Sequence, residues 1–237
     1  MVITVNNIMV KVEGLSKEFR GEMILQDVNI TLERGKIYGL VGMNGSGKTV
    51  FMKCLCGFLK PTTGKVTVDG KEVGKEIDFP QDLGLMIETP GFIPYMSGKS
   101  NLKNLALIRN QIGNYEIEEA LRSVGLDPNL KKHVSKYSLG MRQRLGIAQA
   151  IMEKPRLLIL DEPFNGLDVQ GVKDIRELLM SLQKQGVTIL LASHYDEDIR
   201  TLCEEVYLVR EHRIRKKEES DGAVSYTHLT LPTTPYV

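Results

Sequence analysis

Two short stretches hold side chains whose types and spacing could do chemistry. The first, "GMNGSGKT" from Gly42 to Thr49, fits the spacing G-x-x-x-x-G-K-[ST]. It lies between the apolar run "IYGLVG" and the helical run "VFMKCLCGFL", so a strand should end and a helix begin around it. In that setting Gly45 and Gly47 let the backbone turn tightly enough for its N–H groups to face a polyphosphate, and the following helix adds its positive end. Lys48 would reach the terminal phosphates, and Thr49 would place its hydroxyl on Mg2+. The candidate binding segment is therefore Gly42, Asn44, Gly45, Ser46, Gly47, Lys48, Thr49 and Val50.

The second stretch, "LLILDEPFNGLD" from Leu157 to Asp168, sets two adjacent carboxylates directly after a buried-looking apolar run. Asp161, at the end of that strand, would hold Mg2+ through its water shell, as the second metal-binding part of a P-loop ATPase. Glu162 is one residue further and points elsewhere, to a place where water could attack a γ-phosphate. Its expected role is general base, or at least water-orienting residue.

The elements that must position these groups are visible in the hydrophobic pattern. Residues 8–41 alternate apolar and polar, with turns expected at 21–22 and 34–35, and further short strands fit 64–70 and 83–88. From about Asn101 to Ala150 the pattern is helical, interrupted at "VGLDPN". "RLLILDE" and "VTILLASH" look like buried strands separated by a helix over 172–184. Alternating strands and helices, with continuous apolar strands, imply a parallel sheet covered on both faces.

Composition removes several classes of function. With 31 basic and 30 acidic side chains in 237 residues, net charge +1, no overall basic field marks a nucleic-acid binder. Cys54, Cys56 and Cys203 are too few for a disulfide framework, and Cys54 and Cys56 should point to opposite sides of a helix, as buried thiols in a reducing compartment. No run approaches the roughly 18 apolar residues of a membrane span, and the N-terminus lacks a signal-peptide pattern. The expected location is cytoplasmic, peripheral on the inner face of the cell membrane through a partner.

With "YSLGMRQRLGIAQAIMEKPRLLILDEPFNGLD" and "ILLASH" added to the phosphate loop, the chain resembles the nucleotide-binding domain of ABC transporters over roughly residues 8–215. That resemblance implies an α/β P-loop NTPase (RecA-like) core with an N-terminal antiparallel β lobe and an inserted α-helical lobe at about 90–150. It implies ATP and Mg2+ as ligands. Phe19 would stack on adenine. Ser138 and Gly140 stand in the signature segment, where hydroxyl, backbone N–H groups and a helix N-terminus grip the γ-phosphate of ATP bound to the opposite subunit. Such a site requires a homodimer, or a pseudo-dimer of two homologous chains, closing head to tail around two ATP molecules. Asp168 matches the loop coupling the two sites, and His194 matches the switch histidine that contacts the γ-phosphate and supports the attacking water.

The departures from the family pattern are informative. Leu139 replaces the first signature glycine and Met141 the glutamine, although Gln143 follows closely. Glu88 stands where the family usually has a glutamine that ligates Mg2+ and communicates with the membrane partner; a carboxylate can keep the metal role. That acid, with the "SLGMRQRL" form of the signature, is similar to the bacterial subgroup that expels bacitracin and lantibiotics. The expected function is thus the ATP-hydrolysing motor of a bacterial exporter acting on a separate transmembrane permease, with "PGFIPYM" facing it. The alternatives are a soluble ATPase of the same type acting on ribosomes or nucleic acid, and, ranked last, a module that binds without hydrolysing. Residues 1–223 are read as one ATP-binding domain, and the Thr- and Pro-rich segment 224–237 as a tail foreign to the fold.

Overall fold

The computed structural model describes residues 7–88, 90–193 and 196–218. Alternation in "IMVKVEGLSKEF" and "EMILQDVNITLE" forms the antiparallel pair β1 (Ile8–Phe19) and β2 (Glu22–Glu33). The other edge of β1 pairs with β4 (Thr63–Val68), and β4 with β5 (Lys71–Glu72), giving a four-stranded sheet in the order β2-β1-β4-β5. β3 (Ile37–Val41), wholly buried, leaves this sheet for a second one. There it joins β6 (Leu83–Met86), β7 (Leu157–Asp161), β8 (Thr188–Ala192), β9 (Glu205–Arg210) and β10 (Arg213–Lys216). The order is β10-β9-β3-β8-β7-β6, parallel throughout except for β10.

The apolar runs of β7 and β8 are continuous because both faces of this sheet are covered. Leu157, Ile159, Leu190 and Ala192 pack with Phe51, Met52 and Leu55 of α1 (Lys48–Leu55) in a core shared with the four-stranded sheet. The alternate residues Leu158, Leu160, Ile189 and Leu191 pack on the other side with Ile175 and Leu179 of α5 (Val169–Lys184) and with the helical lobe. Cys54 and Cys56 are both buried in the first of these cores, Cys56 just past the end of α1, and burial pushes their thiols up to about 11 and about 12.

α2 (Gly98–Arg109), α3 (Asn114–Ser123) and α4 (Leu139–Ile151) fill the segment expected to be helical and overrun it slightly, α2 starting before Asn101 and α4 ending after Ala150. α3 ends just before "VGLDPN", and Ser97 and Ser138 cap α2 and α4 by accepting from the N–H groups of Ser100 and Met141. The sequence pattern missed α6 (Asp196–Leu202) and the β9–β10 hairpin. "RIRK" is nearly all basic, as suits an edge strand facing water; Ile214 is its one buried residue.

α4 sits unusually close on β6, and glycines on both elements make room. A Cβ at Gly84 would fall 2.1 Å from the carbonyl oxygen of Ala150, and one at Gly146 would fall 2.9 Å from Met86 Sδ and 2.9 Å from Pro90 Cγ. The Ala150 carbonyl oxygen, held in the helix backbone, cannot swing aside as a side chain could. Gly84→Ala should therefore destabilise the fold by about 1–3 kcal/mol, the usual cost of overpacking; a urea-unfolding midpoint equal to wild type would contradict this seating of α4.

Candidate active site

Strands β3 and β7 flank β8, so the segments leaving their carboxyl ends lie near one another, where open parallel sheets bind ligands. After β3 the chain folds back at 42–47 into α1. Gly45 and Gly47 have φ of +79° and +105°, conformations that a side chain would strain. Gly42 is needed for space instead, since a Cβ there would lie 2.6 Å from Ser46 Oγ and 2.7 Å from the carbonyl oxygen of Val209. No side chain caps α1, so its first-turn N–H groups are available to an acceptor from outside the helix. Ser46 Oγ is buried and is the single such side-chain atom among the described residues without a hydrogen-bond partner. An incoming oxygen acceptor would satisfy it.

Lys48 is buried, and its Nζ donates to the carbonyl oxygens of Gly42 (2.6 Å) and Met43 (3.1 Å). Burial lowers its pKa, and the carboxylates of Glu162 and Asp161 act against that shift. Thr49 Oγ1 donates to Asp161 Oδ2 at 2.8 Å. A hydroxyl and a carboxylate from residues far apart in sequence thus meet at one point, a donor set that suits Mg2+, a small cation preferring oxygen. Glu162 takes φ of +50°; its N–H donates to the carbonyl oxygen of Ala192 (2.9 Å), and its own carbonyl accepts from Gln143 Nε2 (2.8 Å).

Residues 44–50, Phe19, Glu88, Asp161 and Glu162 line one cleft of about 760 Å3. Phe19 is 40% exposed, with the Lys17 ammonium 4.7 Å from its ring centroid. Glu88 is exposed and pairs with Lys53 of α1 at 2.6 Å. Ser138, Gly140 and Asp168 line a different hollow, of about 540 Å3. Ser138 Oγ accepts from the Met141 N–H (3.1 Å) and keeps its own proton to donate; Asp168 Oδ1 accepts from the Gly171 N–H (2.8 Å) and so caps α5. Gly166 borders both hollows. His194 and residues 224–237 lie outside the described residues.

Sequence reasoning missed several residues in the cleft wall. Leu139, noted in the sequence only as replacing the first signature glycine, lines the cleft and lies against Gly166, where a Cβ would come within 2.4 Å of Leu139 Cγ. Gln143 lines the cleft too, and Lys53 neutralises Glu88. The helical period places Lys53 one turn beyond Thr49, but nothing in the sequence pairs it with Glu88.

A phosphate-binding loop after β3, joined through Thr49 to the acid that ends β7, defines a P-loop ATPase built on a parallel sheet. The sequence model for "ABC transporter" matches residues 25–165. The chain is 40% identical to the uncharacterized ABC transporter ATP-binding protein YybJ of Bacillus subtilis, over 89% of this chain and 97% of that one. It is 40% identical to the bacitracin transport ATP-binding protein BcrA of Enterococcus faecalis (86% and 67% covered) and 36% identical to the lantibiotic transport ATP-binding protein SrtF of Streptococcus pyogenes (93% and 95%). The solved structure of an ATP binding subunit of an ABC transporter superposes with a TM-score of 0.80 at 27% identity, covering 90% of this chain and 91% of that one. The chain belongs to the ABC transporter family, as one of its ATP-binding, ATP-hydrolysing subunits.

Proposed function

We propose that the chain is the motor of a bacterial exporter of antimicrobial peptides or related drugs, a dimer that closes around two Mg-ATP and drives a separate membrane permease. The observation that carries this reading is the division of the predicted site between two hollows. One chain offers a phosphate loop with Thr49, Asp161 and Glu162 in the first, and Ser138 with Gly140 in the second. Each hollow is half a site, and two copies set head to tail would complete two whole ones. The relatives named for bacitracin and lantibiotic transport supply the cargo class. Among the described residues no helix is long and apolar enough to cross a membrane, which suits a subunit held peripherally on the inner face by its permease.

In this mechanism Lys48 exchanges the carbonyls of Gly42 and Met43 for phosphate oxygens, and the uncapped first-turn N–H groups of α1 face the same polyphosphate. Phe19 stacks on the adenine. Thr49, Asp161 and Glu88 would hold Mg2+, which when bound neutralises charge on the phosphate oxygens. For Glu88 to do so, it must part from Lys53, an exposed pair of the kind worth little in water. Glu162 takes the proton of the attacking water, and His194 supports that water. Asp168 couples the two sites across the dimer. Tyr95, 70% exposed in the segment after Glu88, belongs to the surface that meets the permease.

Two substitutions test this. Glu162→Gln should bind ATP, stall as a closed dimer and turn over at least about a hundredfold more slowly. Recovered from host membranes in ATP, it should carry a polytopic permease with it; near-normal turnover, or recovery of ribosomes with no membrane protein, would count against the proposal. Glu88→Gln should keep ATP hydrolysis largely intact and weaken drug resistance in cells carrying the permease. Loss of hydrolysis with resistance and hydrolysis falling in step would remove Glu88 from a coupling role.

A further inference from the structure

The carboxylates of Asp161 and Glu162 are adjacent in sequence, and in an extended strand their side chains would point to opposite faces. Both nevertheless line the same cleft. The chain leaves strand geometry at Glu162, whose φ is +50°, a conformation that is costly for a residue with a Cβ and persists only where the surroundings enforce it. The enforcing contacts are on both sides of the residue: its N–H donates to the Ala192 carbonyl of β8, and its carbonyl accepts from Gln143 Nε2 at 2.8 Å. Gln143 is half-buried on α4, a helix fixed in place by its close approach to Gly84 of β6.

We infer that Gln143 is a positioning residue: its amide holds the Glu162 peptide in the left-handed turn that presents the carboxylate to the cleft. The inference rests on the reading of Glu162 as general base. Gln143 has no proton to exchange and contributes a fixed donor to a carbonyl that can only accept. Without that donor the turn relaxes toward ordinary strand geometry, and the base moves off its water while the phosphate loop, which Gln143 does not hold, keeps its grip.

The test compares Gln143→Leu and Gln143→Met, which remove the donor without adding charge to the cleft, with Gln143→Lys, which keeps an N–H donor of similar reach. The first two should lower kcat by about 10- to 100-fold, the scale of a base displaced by an ångström, with KM and the affinity for a non-hydrolysable ATP analogue unchanged. Gln143→Lys should restore most of the lost turnover. Gln143→Met is close to glutamine in length and volume and carries the test if the leucine variant does not fold. Turnover at the wild-type rate in both donor-less variants overturns the inference, as does a parallel loss of analogue affinity or a lysine variant as slow as the leucine one. Glu162→Gln is measured alongside. If it turns over normally, the base reading itself has failed; if it is inactive while the Gln143 variants are normal, only the positioning role has.

Discussion

The hydrogen bond from Thr49 to Asp161 is the contact on which the functional geometry depends. It joins the first turn of the helix after β3 to the last residue of β7, and it exists because those strands lie on either side of β8 with their carboxyl ends together. A parallel sheet gathers such ends along one edge without further design. The antiparallel sheet contributes Phe19, at the end of β1, to the same cleft, and β6 leads to Glu88. Four segments distant in sequence therefore meet around one pair of oxygens suited to a divalent cation.

α4 relates that cleft to the rest of the molecule. Its first turn, capped by Ser138, opens onto the second hollow; its side chains Leu139 and Gln143 reach the first. Its middle is pressed onto β6 through glycines on both partners. In the proposed dimer this helix, touching both hollows, would be a physical route by which contact with a second copy at one hollow is felt at the carboxylates of the other. Leu139, where the family pattern has glycine, lies against Gly166, the residue that borders both hollows.

Much of this was legible in the sequence, for identifiable reasons. The phosphate loop announces itself because a tight turn, a backbone cradle and a phosphate-reaching amine can each be supplied by few residue types. Strands β7 and β8 were legible because burial on both faces leaves an unbroken apolar run. What escaped was tertiary. The pairing of Glu88 with Lys53, the lodging of Leu139 against Gly166, and the bond from Gln143 to the Glu162 carbonyl join residues that no local pattern relates. The left-handed turn at Glu162 was hidden as well, since glutamate is not a residue that signals positive φ. β10 was missed because an edge strand needs only one buried residue, and Ile214 alone makes no period.

The most direct test of the account measures ATP binding by calorimetry, with and without Mg2+, in the wild type and in Asp161→Asn. If Thr49 and Asp161 form the cation site, Mg2+ strengthens ATP binding to the wild type, and the substitution removes most of that gain while leaving metal-free binding nearly unchanged. An Asp161→Asn protein that binds ATP with the same Mg2+ dependence as the wild type would contradict the account, because the oxygen pair at the centre of the cleft would then have no part in holding the metal.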